Sequence, residues 1–411
     1  MTHLTRSYFV KLDEQDQLAH FRNRFQLADD LIYLNGNSLG PLPKAVPRRI
    51  EQLINQEWGQ DLIRSWNKHQ WIDKPTTIGD KIARLIGAGP DEVLVTDTTS
   101  VNIFKLAAGA IAMRPERRKI VTELGNFATD LYLLQGLESL LGEAVEVCAV
   151  PRDEVISHID DRTALVLLTH VHFKSGAMWN MTDITRLTHQ HGALMLWDLS
   201  HSTGAMVVEL NQCNVDLAVG CTYKYLNGGP GSPAFMYVSK RHQNQFKQPL
   251  TGWIGHARPF DFDDQYQPAA GIKQGLCGTP AVVANAALEV SVDLLLEADL
   301  LQVRKKSVAM GNLFIELIQQ HGNWFNISSP VNGQVRGSQV SIIHPAGYAI
   351  MQALIARNII GDFRAPDHLR FGFAPLYLRY VDLWDTVEAL ADIMTHHIWD
   401  CDQFKQHQAV T

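Results

Sequence analysis

The chain has 411 residues, 46% of them hydrophobic and 19% charged, with a formal net charge of −7. That length provides for two or three domains with ample core, and the mildly acidic balance gives no electrostatic footprint for nucleic acid or an anionic membrane surface. The sequence has no apolar run of the ~18 residues that would suggest a membrane span, and charges interrupt MTHLTRSYFVKLDEQDQ where a signal peptide needs an apolar core, so cytoplasmic residence is expected.

Five widely spaced cysteines, Cys148, Cys213, Cys221, Cys277 and Cys401, fit neither a disulfide framework nor a CxxC site and read as reduced thiols. His170 and His172 alternate on an expected strand and His189 and His191 close an expected helix. Without clustered cysteines or HExxH spacing, no metal is expected.

Residues Tyr8 to Gln26 predict a short polar helix, followed by the strand and turn IYLNGNSLGPLP. From Val46, the residues Val46, Ile50, Leu53, Ile54 and Trp58 recur at helical spacing, with Pro43 and Pro47 near the first turn. Trp66 and Trp71 then cluster, as packing or as a wall for an aryl group. EVLVTDTTS, residues 92–100, predicts a buried strand feeding a helix that begins with VNIFK, which places Thr98, Thr99 and Ser100 at a helix N-terminus suited to a phosphate. Capping needs only one of the three hydroxyls. Neither GxxxxGK nor a strand-following GxGxxG is present, which excludes a nucleoside-triphosphate loop and argues against a dinucleotide.

The next strand, Lys119 to Thr122, leads into Gly125–Asp130, where Phe127 could stack on a planar ring or simply fill the core. ALVLLTHVHFKSG follows as a buried strand, and Thr182 or Asp183 is expected to cap the helix DITRLTHQH, closed by Gly192. Strand and helix alternate over about 92–240, the signature of a mostly parallel sheet covered on both faces.

Within that region, Ala193–Pro233 carries the chemistry. The run Leu194–Trp197 stops at Asp198, with His201 three residues on, and Val215–Val219 leads into Cys221, Thr222, Tyr223 and Lys224. Carboxyl ends of parallel strands line ligand crevices, so Asp198, His201 and Lys224 are expected to meet. A lysine and a carboxylate delivered together suggest pyridoxal phosphate (PLP) chemistry; the plainer reading is a partly buried ion pair and a surface lysine. Gly228, Gly229 and Gly231 let the backbone pass close to a ligand. After Pro280 a long helical tract, interrupted near Ala298, precedes short segments at Ser338–Ile343 and His368–Phe373 and a final helix bearing Leu383, Val387, Leu390 and Met394, which reads as a smaller α+β domain.

The segments YLNGNSLGPLP, TSVNIFK, NFATD, WDLSHSTGAM, CTYKYLNGGPGSPAF, GWIGH and RFGFAPLYLRY together resemble the fold type I PLP enzymes, and among them the kynureninase family. The resemblance runs from near residue 30 to near 390. It implies an α/β fold: a PLP-dependent transferase-like large domain over 46–290 with a mostly parallel seven-stranded sheet, a smaller α+β domain over 291–411, and an N-terminal segment, 1–45, joining the small domain. It also implies Lys224 as the Schiff-base lysine, Asp198 as partner of the pyridinium nitrogen, Phe127 stacked on the ring, Thr99 and Ser100 in the phosphate cup, and Asp130, Thr169, His201 and Tyr223 as further cofactor contacts. Trp253 and Thr279 are implied to reach the phosphate of a neighbouring subunit, hence a homodimer with shared sites. Some relatives carry asparagine at the position of Thr279.

For the substrate α-carboxylate the resemblance points to Arg370, on a segment whose Leu369, Phe371 and Phe373 should face the core. Arg364 and Arg379 are nearby and expected to pair with surface acids; Asn37 is expected to line the same pocket. The implied reaction is hydrolysis of the Cβ–Cγ bond of L-kynurenine, and of 3-hydroxykynurenine, in tryptophan catabolism or NAD biosynthesis, with Lys224 moving the Cα proton and Tyr223 delivering a later one. The alternatives are a cysteine desulfurase, for which Cys277 is the sole candidate nucleophile, a small-amino-acid aminotransferase, and an inactive PLP-fold binding protein, against which intact Lys224, Asp198 and Arg370 count.

Overall fold

A computed structural model of the chain describes residues 4–408. Its strands begin with β1 (Ile32–Tyr33), β2 (Val93–Val95), β3 (Lys119–Glu123), β4 (Glu146–Val150), β5 (Thr163–Thr169), β6 (Leu194–Asp198), β7 (Leu217–Gly220) and β8 (Phe235–Val238). They continue with β9 (Asn326–Ile327), β10 (Gln339–Ile343), β11 (Ile359–Ile360), β12 (Asp362–Arg364) and β13 (His368–Gly372).

Seven strands form the main sheet in the order β2-β8-β7-β6-β5-β3-β4. The neighbours from β7 to β4 pair in parallel, and β8 runs antiparallel to both β7 and β2. Strand periodicity explains why β5 and β6 read as continuous apolar runs: each is buried on both faces. Leu165, Leu167, Leu194 and Leu196 enter one core with Ile103, Leu106 and Leu134 from the helices Thr99–Ala112 and Ala128–Leu141. Val166, Leu168, Met195 and Trp197 enter the other, shared with Ile184 of the helix Met181–Gln190 and with Phe314 and Phe371. Each such side chain contributes about 1.5–3 kcal/mol of burial.

The second sheet is four-stranded, β12-β13-β10-β9, and β1 pairs with β11 in parallel, which ties the N-terminal segment to the C-terminal part. The helices Val282–Leu296 and Leu300–Gln320 are separated where Asp299 caps the second by accepting from the Leu301 amide, close to the expected interruption.

Three local expectations are corrected. The first helix stops at Glu14 and resumes as a 3-10 turn at Ala19–Arg24, because the Asp16 carboxylate takes the Leu18 amide and the Lys306 ammonium instead of continuing the ladder. The helix from Val46 turns π-helical over Leu53–Asp61, so the phase shifts and Ile54 and Trp58 are exposed while Val46 and Leu53 are buried. Asn180, not Thr182 or Asp183, caps the helix Met181–Gln190: its side-chain oxygen accepts from the Asp183 amide at 3.1 Å.

Candidate active site

β3 and β5 are neighbours in the sheet, and the chain leaves β3 toward β4 and β5 toward β6, on opposite sides, so a crevice opens between them at the carboxyl ends. A cavity of about 290 Å³ lies there. Asp198 ends β6 and faces Thr169 at the end of β5. Beyond β7, the chain turns through Cys221 and Thr222 to bring Tyr223 and Lys224 to the same cavity. Lys224 Nζ lies 3.1 Å from His201 Nε2 and 5.8 Å from the ring centres of both Phe127 and Tyr223.

Charge in this cavity is under-compensated. Asp198 is 3% exposed, and its carboxylate accepts from the Ser200 amide at 2.8 Å. Burial pushes its pKa up against the pull of Ser200 and of the Lys224 charge. Asp130, held by Thr169 Oγ1 at 3.3 Å and Asn126 Nδ2 at 3.2 Å, is pushed well above the ordinary range by burial and then by the neighbouring Asp198 charge. His201 moves the other way: burial, then the Lys224 charge, hold its imidazole well below its ordinary value, and Nδ1 is buried with no partner. The Tyr223 phenol is raised, mainly by burial, and keeps its proton.

The hydroxyls divide as capping chemistry requires. Thr98 is the N-cap, accepting from the Val101 amide at 3.3 Å, while Thr99 and Ser100 in the first helical turn line the cavity beside the free amides. Phe127 stays 44% exposed on the cavity wall, edge-on to Phe173 at 5.4 Å. Thr169 Oγ1 also hydrogen-bonds Asn126 Oδ1.

Other expected residues lie apart. Arg370 does stand opposite Leu369 and Phe371 on β13, but it is 2% exposed and fully engaged: Nε donates to Asp362 Oδ1 at 2.6 Å, Nη1 to the Phe173 carbonyl at 2.5 Å and Nη2 to Ser38 Oγ at 3.1 Å. Arg364 shares Asp362 at 3.0 Å and Arg379 pairs with Asp382 at 2.7 Å; both acids are buried rather than on the surface. Asn37 is buried against Gln339, 3.4 Å away, and Ser38 rather than Asn37 touches Arg370. Trp253 packs on Phe260 and Thr279 is exposed; neither lines this chain's own cavity. Trp66 and Trp71 pack edge to face, with Trp71 Nε1 donating to Glu57 at 2.9 Å. Among the described residues no cluster fits a metal ion. Sequence reasoning missed Asn126, Ser200, Phe173, Ser38, Gln339 and Asp362; the first two sit inside the segments NFATD and WDLSH and were legible as polar residues at strand ends.

The chain's C-terminal part, residues 303–390, matches the family model described as the kynureninase C-terminal domain. A kynureninase from Burkholderia mallei (strain SAVP1) is 47% identical over 415 aligned positions, covering 99% of this chain and the full length of that protein. The chain belongs to the kynureninase family. Within the family, the Pseudomonas fluorescens kynureninase is 45% identical over 414 positions, again with 99% of this chain covered. Solved structures show the same fold at low identity. A C-DES variant with glycine covalently linked to its PLP cofactor gives a TM-score of 0.77 at 16% identity, covering 90% of this chain and 99% of that one. The apo cysteine desulfurase from Thermococcus onnurineus NA1 gives 0.75 at 17%, covering 92% and 97%. The family membership decides against the desulfurase alternative, and Cys277 fits that outcome: its Sγ lies 3.6 Å from Lys105 Nζ and outside the cavity.

Proposed function

We propose that this cavity holds pyridoxal 5′-phosphate and that the chain hydrolyses the Cβ–Cγ bond of L-kynurenine, and of 3-hydroxykynurenine, to anthranilate or its hydroxylated analogue and L-alanine. The observation that carries this reading is the pairing of a buried, under-satisfied Asp198 with the Lys224 amine on one 290 Å³ cavity. The donor set fits the group: a carboxylate for a protonated ring nitrogen, an amine for the aldehyde, a half-exposed aromatic for a flat ring, and Thr99, Ser100 and a helix N-terminus for a phosphate. Bound there, PLP supplies an electron sink for charge developing on the substrate.

The chain's own groups then divide the work. Asp198 would face the ring nitrogen and hold its proton. Lys224 removes and returns protons at the substrate's Cα side. His201, kept neutral by burial and by the Lys224 charge, accepts from the amine without adding a second cation. Tyr223, whose phenol retains its proton, delivers one to the Cβ that stays on the amino-acid side when the Cβ–Cγ bond breaks. Arg370 takes the α-carboxylate in exchange for its bond to the Phe173 carbonyl, and Asn37 lines the same pocket.

A homodimer completes the site, with Trp253 and Thr279 reaching the neighbouring subunit's phosphate; their exposure and their absence from their own cavity support this. The domain limits 46–290 and 291–411, with 1–45 attached to the latter, are supported by the β1–β11 ladder. Cytoplasmic residence is part of the same reading; among the described residues no helix is long and apolar enough to cross a membrane. Choice between kynurenine and its 3-hydroxy form rests on one or two aryl contacts worth about 1–3 kcal/mol. The test is release of fluorescent anthranilate from kynurenine, beside the hydroxylated analogue, by PLP-loaded protein. No release from either substrate overturns the reading.

A further inference from the structure

We propose that Asp362 is a positioning residue for recognition of the substrate α-carboxylate, and that Arg364 supplies the positive charge that makes this recognition favourable. The inference rests on the reading of Arg370 as the group that takes that carboxylate.

In the antiparallel β12–β13 pair, Asp362 stands directly opposite Arg370. Both side chains are 2% exposed. Asp362 grips the guanidinium by one edge, through Nε and Nη2. That grip fixes the plane of the fork and directs Nη1 to the carbonyl of Phe173, a residue that lines the cavity. Ser38 Oγ donates to Asp362 Oδ2 at 2.5 Å and accepts from Arg370 Nη2 at 3.1 Å, which locks the arrangement to the turn after β1.

The charge count is the second observation. Arg364 Nη2 reaches the same Asp362 Oδ2 at 3.0 Å, so two guanidinium groups share one carboxylate. One positive charge is therefore left without an anion. Burial and the Arg370 charge both disfavour the cationic form of Arg364, with Asp362 opposing them. An incoming carboxylate restores balance, and a substrate lacking one does not.

The test compares Asp362→Asn, Arg364→Gln and Arg370→Met in PLP-loaded enzyme, reading KM, kcat and the cofactor's visible absorption. Binding of kynuramine, the amine lacking the α-carboxylate, is measured in parallel. Asp362→Asn should raise KM for kynurenine by about tenfold or more with kcat within about threefold of the parent. Arg364 is 38% exposed at the side chain, so Arg364→Gln should fold normally, and it should raise KM about threefold. Kynuramine affinity and the absorption spectrum should be unchanged in both. If Asp362→Asn does not fold, Arg364→Gln decides alone: unchanged KM overturns the proposal. Raised KM in Arg370→Met with unchanged KM in Asp362→Asn and Arg364→Gln overturns the proposal but keeps the Arg370 reading. Unchanged KM in Arg370→Met overturns that reading and the proposal with it.

Discussion

Two aspartates on the central strands are equally hidden and electrostatically opposite. Asp198 ends β6 at 3% exposure, and Asp216 precedes β7 at 2%. Asp216 accepts from His189 Nε2 and the Met195 amide at 2.7 Å, from His242 Nε2 at 2.7 Å and from Arg241 at 2.6 Å. These partners outweigh its burial and hold its pKa below the ordinary carboxylate range. Asp198 has the side chain and amide of Ser200 and a nearby lysine, and burial wins, so its pKa rises. Burial alone thus says nothing about role. A buried carboxylate that the fold satisfies holds the structure together; one that the fold leaves short of partners is reserved for a ligand.

The sharpest way to break this contrast is by paired substitution. Asp198→Asn should lower kcat on the order of a thousandfold, because an amide cannot keep the ring nitrogen protonated. It should leave the cofactor-free protein at least as stable as the parent in thermal unfolding. Asp216→Asn should do the reverse: a loss of about 3–5 kcal/mol of stability, since Arg241 loses its anion and the buried network its central acceptor, with kcat per folded molecule unchanged. A catalytic defect in Asp216→Asn at full folding would break the distinction.

Tyr223→Phe belongs to the Asp198 side and should lower kcat by about a hundredfold, with cofactor absorption unchanged. If only cofactor affinity falls, the phenol serves the phosphate and not proton delivery.

The smallest effect is in the pH dependence of stability. Asp216, with a depressed folded value, contributes stability that is present above the unfolded carboxylate value of about 4 and lost as pH falls through the folded value. Asp198, with a raised folded value, contributes in the opposite sense: its contribution is present below about 4 and lost as pH rises through the folded value. In cofactor-free protein the difference in melting temperature between parent and Asp216→Asn should shrink toward acid. That between parent and Asp198→Asn should also shrink, with the opposite sign at neutral pH.

Much of this was legible in the chain itself. Runs such as ALVLLT and ALMLWD have no alternation because both faces of β5 and β6 are covered, and the polar residue that stops each run marks the crevice. Lys224 and Asp198 could be paired for that reason alone. What stayed hidden depended on register or on competition between local bonds. The Asp362–Arg370 pair appears only once β12 and β13 are aligned antiparallel, and Ser38 reaches Arg370 only once β1 is placed beside β11. Asn180 took the cap from Thr182 and Asp183 because its own side chain reaches the Asp183 amide. The antiparallel β8 is as apolar and as buried as the parallel strands of the sheet, so composition could not reveal its direction.

The most direct test of the whole account is reconstitution with PLP of the parent and of Lys224→Ala, following visible absorption and anthranilate release together. The parent should gain both the absorption of lysine-bound cofactor and turnover, and Lys224→Ala should show neither. A Lys224→Ala protein that keeps both would contradict the assignment of this cavity.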